Sequence, residues 1–453
     1  LFYPHFDLSN NSIHPDCIDW ASFKDVRELY KQEAAELLKC GYGLTSRALN
    51  PSNLERQNVK LALQVFSPFV AEALRANKSE PVLHHAESTA DFITIIVRWW
   101  SIVNVKTPLK GIHHRNIFEE PISRTENDPK ILFLNAIITW LDVWEFLKHD
   151  AGILTKETLS ALRLSVYSLS EFAKYCLQEL GHRYVLLGKI QTDCLESRFG
   201  QYRQLAGSQY HISVRQLYES EGRIRLQNTL PVITADDLQN IESGTSSSVE
   251  STFSISVSEN DLNALSSRMP VVAYVAGYCA HAALKALKCD TCRENLVTAS
   301  EQAQTEDDDD DINSLIRQLD RGGLKFPSPF VVTLVMHAEV IVKKLAEKEN
   351  CAEFLSGSNQ KKLVSKLIVE SLPESEEMIT CMKGHTYEQL TSLLANCATN
   401  ILLNNLCKQK NDLARVAKEN EKKKGKLVSL LRNEHLCFST TLMSFHSVGC
   451  CSK

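Results

Sequence analysis

Apolar positions recur every three to four residues through most of this chain. Val59, Leu63, Phe66, Val70 and Leu74 form one series, Phe92, Ile95, Ile96 and Trp99 a second, and Leu134, Ile137, Ile138 and Leu141 a third. That period puts each set on one face of a helix, and β-branched runs are few and short, so the first half reads as mainly α. A further helix is expected from Leu159 to Leu180, ending near Gly181, with Tyr184 to Leu187 as a short extended entry to a helix over 193–205. Residues 1–20 mix Pro, Asn, Ser and aromatic residues without a period and read as an irregular lead-in. From Thr234 to Arg268 large apolar residues become sparse, which predicts a disordered linker. Helical patterns return over Met269–Leu287, Phe330–Leu345 and Thr386–Leu406, while the acidic run Glu306–Asp311 reads as a solvated loop.

Composition adds limits rather than a function. A chain of 453 residues, 43% hydrophobic, has material for two to four domains with buried cores. A net charge of −5 provides no overall field favouring DNA, so any nucleic-acid surface has to be a local basic patch. The strip Lys408–Arg432 is one candidate, with nine Lys or Arg against Asp412, Glu419 and Glu421, although a solvated helix face is the commoner explanation of such a run. The 14 cysteines are irregularly spaced in a long chain, which favours a reducing compartment over a disulfide framework. No run reaches the ~18 apolar residues of a membrane span, and the opening Leu1-Phe2-Tyr3-Pro4 reads as a fragment lacking its own beginning.

The segment from Thr192 to Arg203, TDCLESRFGQYR, carries the most chemistry. On a helical period Asp193, Glu196, Gly200, Arg203 and Gly207 share a face, while Leu195, Phe199 and Tyr202 point toward a core. Carboxylates beside a glycine and an arginine suit a metal-dependent site on a nucleic-acid backbone. Asp193 and Glu196 also fit a capping-box variant, and spacing alone leaves both readings open. No P-loop is present, because Gly188-Lys189 is followed by Ile190. Lys106 and Lys110 lie near a turn and could reach phosphates, although solvated side chains are the commoner reading. Cys289 and Cys292 form a CxxC, and Cys381 with His385 a CxxxH far downstream; zinc could join them.

The segment QTDCLESRFGQYRQLAGSQYHISVRQLYES resembles the last catalytic block of P-element-type transposases, including relatives with an N-terminal THAP zinc finger. NVKLALQVFSPFVAEAL, VVAYVAGYCAHAALKALKCDTC and LDRGGLKFPS resemble other blocks of that family in the same order. The resemblance implies an RNase H-like nuclease and strand-transfer domain with three carboxylates, interrupted before the third by a helical GTP-binding insertion. It implies 1–20 as a lead-in from a truncated RNase H-like domain, 21–182 as the insertion, 183–230 as the RNase H-like C-terminal block, 231–268 as linker, 269–436 as a C-terminal helical domain and 437–453 as a tail.

Glu196 matches the third, magnesium-holding carboxylate, and Arg203 stands near the DNA backbone. The family's two aspartates fall upstream of Leu1. Because two-metal chemistry needs ions ~3.5–4 Å apart, one carboxylate cannot hold them, and the chain is expected neither to cut nor to join DNA. In ITWLDVWEFL, Asp142 matches the aspartate that reads guanine, while Leu141 and Glu145 replace an aromatic and an asparagine; Asp193 matches a second nucleotide-facing position. The resemblance further implies DNA and GTP as partners, a homo-oligomer in the intact family, no membrane association and a nuclear location. The competing expectations are a domesticated, non-enzymatic DNA- or nucleotide-binding protein and a helical interaction scaffold.

Overall fold

In a computed structural model, the structure describes residues 1–53, 55–147, 152–207, 211–229, 253, 255–298, 312–357, 359–372, 381 and 384–444. Strands β1 (Phe2–Asp7) and β2 (Ser12–Trp20) pair as a two-stranded sheet. Helices follow as α1 (Phe23–Gln32), α2 (Ser46–Leu49), α3 (Val59–Val65), α4 (Pro68–Ala76), α5 (Ala86–Val103), α6 (Lys110–His114), α7 (Pro129–Phe146) and α8 (Lys156–Gln178). Next come α9 (Asp193–Leu205), α10 (Val214–Thr229), α11 (Glu259–Asn263), α12 (Met269–Leu287), α13 (Asp290–Leu296) and α14 (Ser314–Leu319). The chain closes with α15 (Pro329–Leu345), α16 (Lys348–Ser356), α17 (Gln360–Ser371) and α18 (Tyr387–Ser444). The class is mainly α, as the periodicity predicts.

The first twenty residues are a hairpin, which corrects the irregular lead-in. Asp7 and Asn10 side chains accept from the Ser9 and Ser12 amides at 2.9 and 2.8 Å, and Asn11 takes a left-handed φ of 61°, so the turn is built from residues suited to it. In a two-stranded sheet both strands are edges, which tolerate Pro15 where an interior strand would not. The Val59–Leu74 series likewise becomes two helices. Pro68 forces Ser67 into extended backbone, φ −128° and ψ 142°, which ends the first and starts the second.

Two compact units emerge, Leu1–Tyr3 with Asp19–Val97 and Phe253–Lys453, and Pro4–Ile18 with Arg98–Thr252. In the first, α12, α15, α17 and α18 bury a continuous core that includes Val272, Ala276, Leu334, Ile341, Ile368, Leu394 and Leu402. The small residues of α12 allow backbone to come close. A Cβ at Gly277 would sit 2.3 Å from the Lys325 carbonyl oxygen. Residues Ser266–Leu287 are long and apolar enough by length and composition to cross a membrane, contrary to the expectation that no stretch is, yet Val272, Ala273, Ala276, Cys279 and Ala280 are spent wholly on this core.

The linker expected over 231–268 is ordered at its end, where α11 is fixed by a capping box between Ser258 and Asp261 and by a 2.7 Å pair from Lys344 to Asp261. Residues 230–252 and the acidic run lie outside the described residues. The basic strip does not follow a helix but continues one, because α18 runs unbroken from Tyr387 to Ser444.

The second unit is centred on α7 and α8. Asp128 caps α7 by accepting from the Lys130 amide at 2.9 Å, with Pro129 at the first helical position. Trp140, on the buried face, donates from Nε1 to the Pro4 carbonyl at 2.8 Å. Among the described residues of 183–229 the regular elements are a short helical turn at Leu187–Lys189, α9 and α10, with one isolated bridge, Ile122 to Val185, and no strand of a sheet.

Candidate functional sites

α9 opens after Thr192, whose side chain makes no cap bond to the backbone; its hydroxyl donates to Glu196 at 3.1 Å instead. The capping box is therefore not formed. Asp193, at the first helical position, pairs with Lys106 in the loop after α5, so Lys106 is not simply solvated, and Lys110 pairs with Glu119 at 3.1 Å. Both acidic side chains of α9 sit where a helix start favours negative charge.

The apolar side of α9 departs from expectation. Leu195 and Phe199 are 56% and 54% exposed rather than core residues. Periodicity places them on a common face, but among the described residues no neighbouring element covers that face. Tyr202 is half-buried for a different reason. Its hydroxyl donates to Glu221 of α10 at 2.7 Å, and Arg198 grips the same carboxylate with contacts of 2.6 and 2.8 Å. The Tyr202 hydroxyl first, and then Arg198, hold the Glu221 carboxyl down at about 2. This brace fixes α9 against α10.

On the polar side, a Cβ at Gly200 would meet nothing within 4 Å, so the helix is open there to an approaching strand, with half-buried Arg203 three residues on. Gly188, by contrast, has a packing role: a Cβ there would lie 2.7 Å from the Val105 carbonyl oxygen, which also accepts the Gly188 amide at 2.9 Å. Asp142, on α7, is engaged by Arg163 of α8 through Nε and Oδ1. Among the described residues, no group of three or more His, Cys, Asp or Glu at ligand spacing contains Asp142, Asp193 or Glu196.

The four thiol and imidazole residues do converge: Cys289, Cys292, Cys381 and His385 form one group, with the three sulfurs buried. One feature escaped the sequence reading. A cavity of about 370 Å³ in the first unit is lined by Tyr42, Phe69, Tyr274, Tyr278, Asn405 and Lys408, among others. Its aromatic residues come from three separated helices and loops, so no local spacing marks them.

Residues 258–409 match the family model for the C-terminal domain of the DNA transposase THAP9, and residues 8–115 match the TNP-like GTP-binding insertion domain. The latter range begins in the hairpin and stops before α7, so Asp142 lies outside it. The transposable element P transposase of Drosophila melanogaster is 26% identical over 177 residues, which are 38% of this chain and 22% of that protein. The chain therefore spans less than a quarter of that relative. The Drosophila P element transposase strand transfer complex is 24% identical with a TM-score of 0.38, over 46% of each chain.

Proposed function

We propose, for a chain that belongs to the P-element-type transposases, that it is the guanine-nucleotide-binding and C-terminal portion of a DNA transposase acting in the nucleus. The observation that carries this is order: matches to a GTP-binding insertion domain at 8–115 and a transposase C-terminal domain at 258–409 flank α9, where an exposed Glu196 and a half-buried Arg203 share a helical face.

Glu196 is the residue that serves metal-dependent strand chemistry in the assembled site, and Arg203 meets the phosphate backbone. Asp142 reads guanine. A carboxylate can accept from the ring N–H and the exocyclic amine together, a pairing that adenine cannot offer. Arg163 already occupies Oδ1, so the base either shares that oxygen or displaces the guanidinium. Leu141 provides no aromatic face for stacking and Glu145 adds a negative charge, and both weaken the affinity.

With Glu196 outside any ligand-spaced group among the described residues, this chain alone does not cleave DNA. Incubated with supercoiled DNA, Mg²⁺ and GTP, it is expected to yield no nicking above buffer. Nicking that disappears in Glu196→Gln would overturn the single-carboxylate account. A second reading, a non-enzymatic binding protein in which α9 serves only the fold, is favoured by the Asp193–Lys106 pair. DNA binding that weakens in Arg203→Ala without loss of helicity separates the two, because a purely structural α9 predicts unchanged affinity.

A further inference from the structure

We propose that Cys289, Cys292, Cys381 and His385 bind a structural zinc ion that fastens the α12–α13 junction to the start of α18. The Cys381 sulfur lies 3.5 Å from the sulfurs of both Cys289 and Cys292. Nδ1 of His385 lies 3.4 Å from the sulfurs of Cys292 and Cys381. All four ligand atoms fall within 4.8 Å of one another.

Four of the six separations are thus 3.4–3.5 Å, and the centre of a regular tetrahedron with that edge lies about 2.1 Å from each corner, between the Zn–N and Zn–S bond lengths of about 2.0 and 2.3 Å. Three thiolates and one imidazole are a zinc-selective set, and a buried Cys₃His arrangement leaves no position open for substrate, so the ion is structural rather than catalytic. A disulfide would use only two of the three sulfurs, whereas here Cys381 is equidistant from the other two.

The local chain is shaped for this. Lys288 ends α12 in a left-handed conformation, φ 50°, and this turns Cys289 back to the N-cap of α13, so that Cys292 falls one turn into that helix. Gly384, at φ 77°, makes a similar turn between Cys381 and His385. The two halves are 89 residues apart between Cys292 and Cys381. An ion joining them closes a long loop and clamps the ends of helices whose bodies already pack together.

The test is elemental analysis of the full 453-residue chain purified without chelator, combined with Co²⁺ substitution. One zinc per chain and the absorption of tetrahedral, sulfur-ligated Co²⁺ are expected. Cys292→Ser and Cys381→Ser should each lower bound zinc by about tenfold or more. Cys351→Ser, outside the cluster, should not, and His385→Cys should retain the metal because it preserves four tetrahedral donors. Failure of the serine variants to fold leaves the wild-type stoichiometry, the Co²⁺ spectrum and His385→Cys as readouts. Metal-free wild-type protein that takes up no Zn²⁺ or Co²⁺, or a Cys381 disulfide identified by mass spectrometry in protein kept reduced, would overturn the proposal.

Discussion

Arg268→Ala is expected to destabilise the first unit by about 3–5 kcal/mol, because it removes the principal partner of a fully buried carboxylate. Glu339 of α15 has no solvent exposure, and Arg268, just before α12, approaches it to 2.8 Å. The same guanidinium meets Glu36 and donates to the Leu38 carbonyl, so one side chain ties the loop after α1 to the C-terminal helices. The Arg268–Glu339 contact is a pairing of charges rather than an aligned hydrogen bond, since neither Glu339 oxygen has a hydrogen-bond partner of good geometry. Lys343 stands 3.4 Å from Glu339 and 2.7 Å from Glu36, and its residual charge puts the loss at the lower end of that range. Guanidinium unfolding followed by amide exchange over Val331–Leu345 measures it. Replacing both partners, Arg268→Met with Glu339→Leu, should recover most of the stability, because the desolvation penalty goes with the pair. A single-variant loss under about 1 kcal/mol would show that Lys343 alone balances the carboxylate.

Trp140→Ala should be as damaging to the second unit, about 3–5 kcal/mol from lost burial and the cavity left behind. Trp140 is 1% exposed, lies 4.7 Å from the Trp144 ring and meets Phe6 edge-on at 6.0 Å. Its bond to the Pro4 carbonyl can be weighed separately. Trp140→Phe keeps an aromatic ring but orphans that oxygen, so about 1–3 kcal/mol of destabilisation is expected beyond the cost of the lost volume. Near-ultraviolet circular dichroism and the unfolding midpoint report both variants. Equal stability of the alanine and phenylalanine forms would contradict the packing account.

The elements most legible in the sequence were those whose apolar period coincides with a real core. α12 and α15 carry stripes such as Val272, Ala276 and Ala280, or Leu334, Ala338 and Ile341, and each stripe is buried. The hairpin was illegible for the opposite reason. β2 is exposed over most of its length, so no alternation of buried and solvated residues marks it, and Pro15 argues locally against a strand. Leu195 and Phe199 show a third limit: periodicity says which residues share a face, not whether anything covers it. Among candidate ligands, the CxxC and CxxxH were visible as separate pairs, but their meeting depends on α12 and α18 packing side by side. The Lys106–Asp193 pair joins residues 87 apart and has no local signature. The family resemblance singles out Glu196 and Asp142, but carries no sign of the partners each has in the fold, Thr192 and Arg163.

The proposed recognition of a guanine nucleotide by Asp142 is measured by calorimetric titration of the 453-residue protein with GTP and ATP. GTP is expected to bind in preference to ATP, with Asp142→Ala weakening GTP by about tenfold to a hundredfold, the loss of a charged hydrogen-bonding partner, and leaving ATP unchanged. Equal affinity for both purine nucleotides, or GTP binding undiminished in Asp142→Ala, would contradict it.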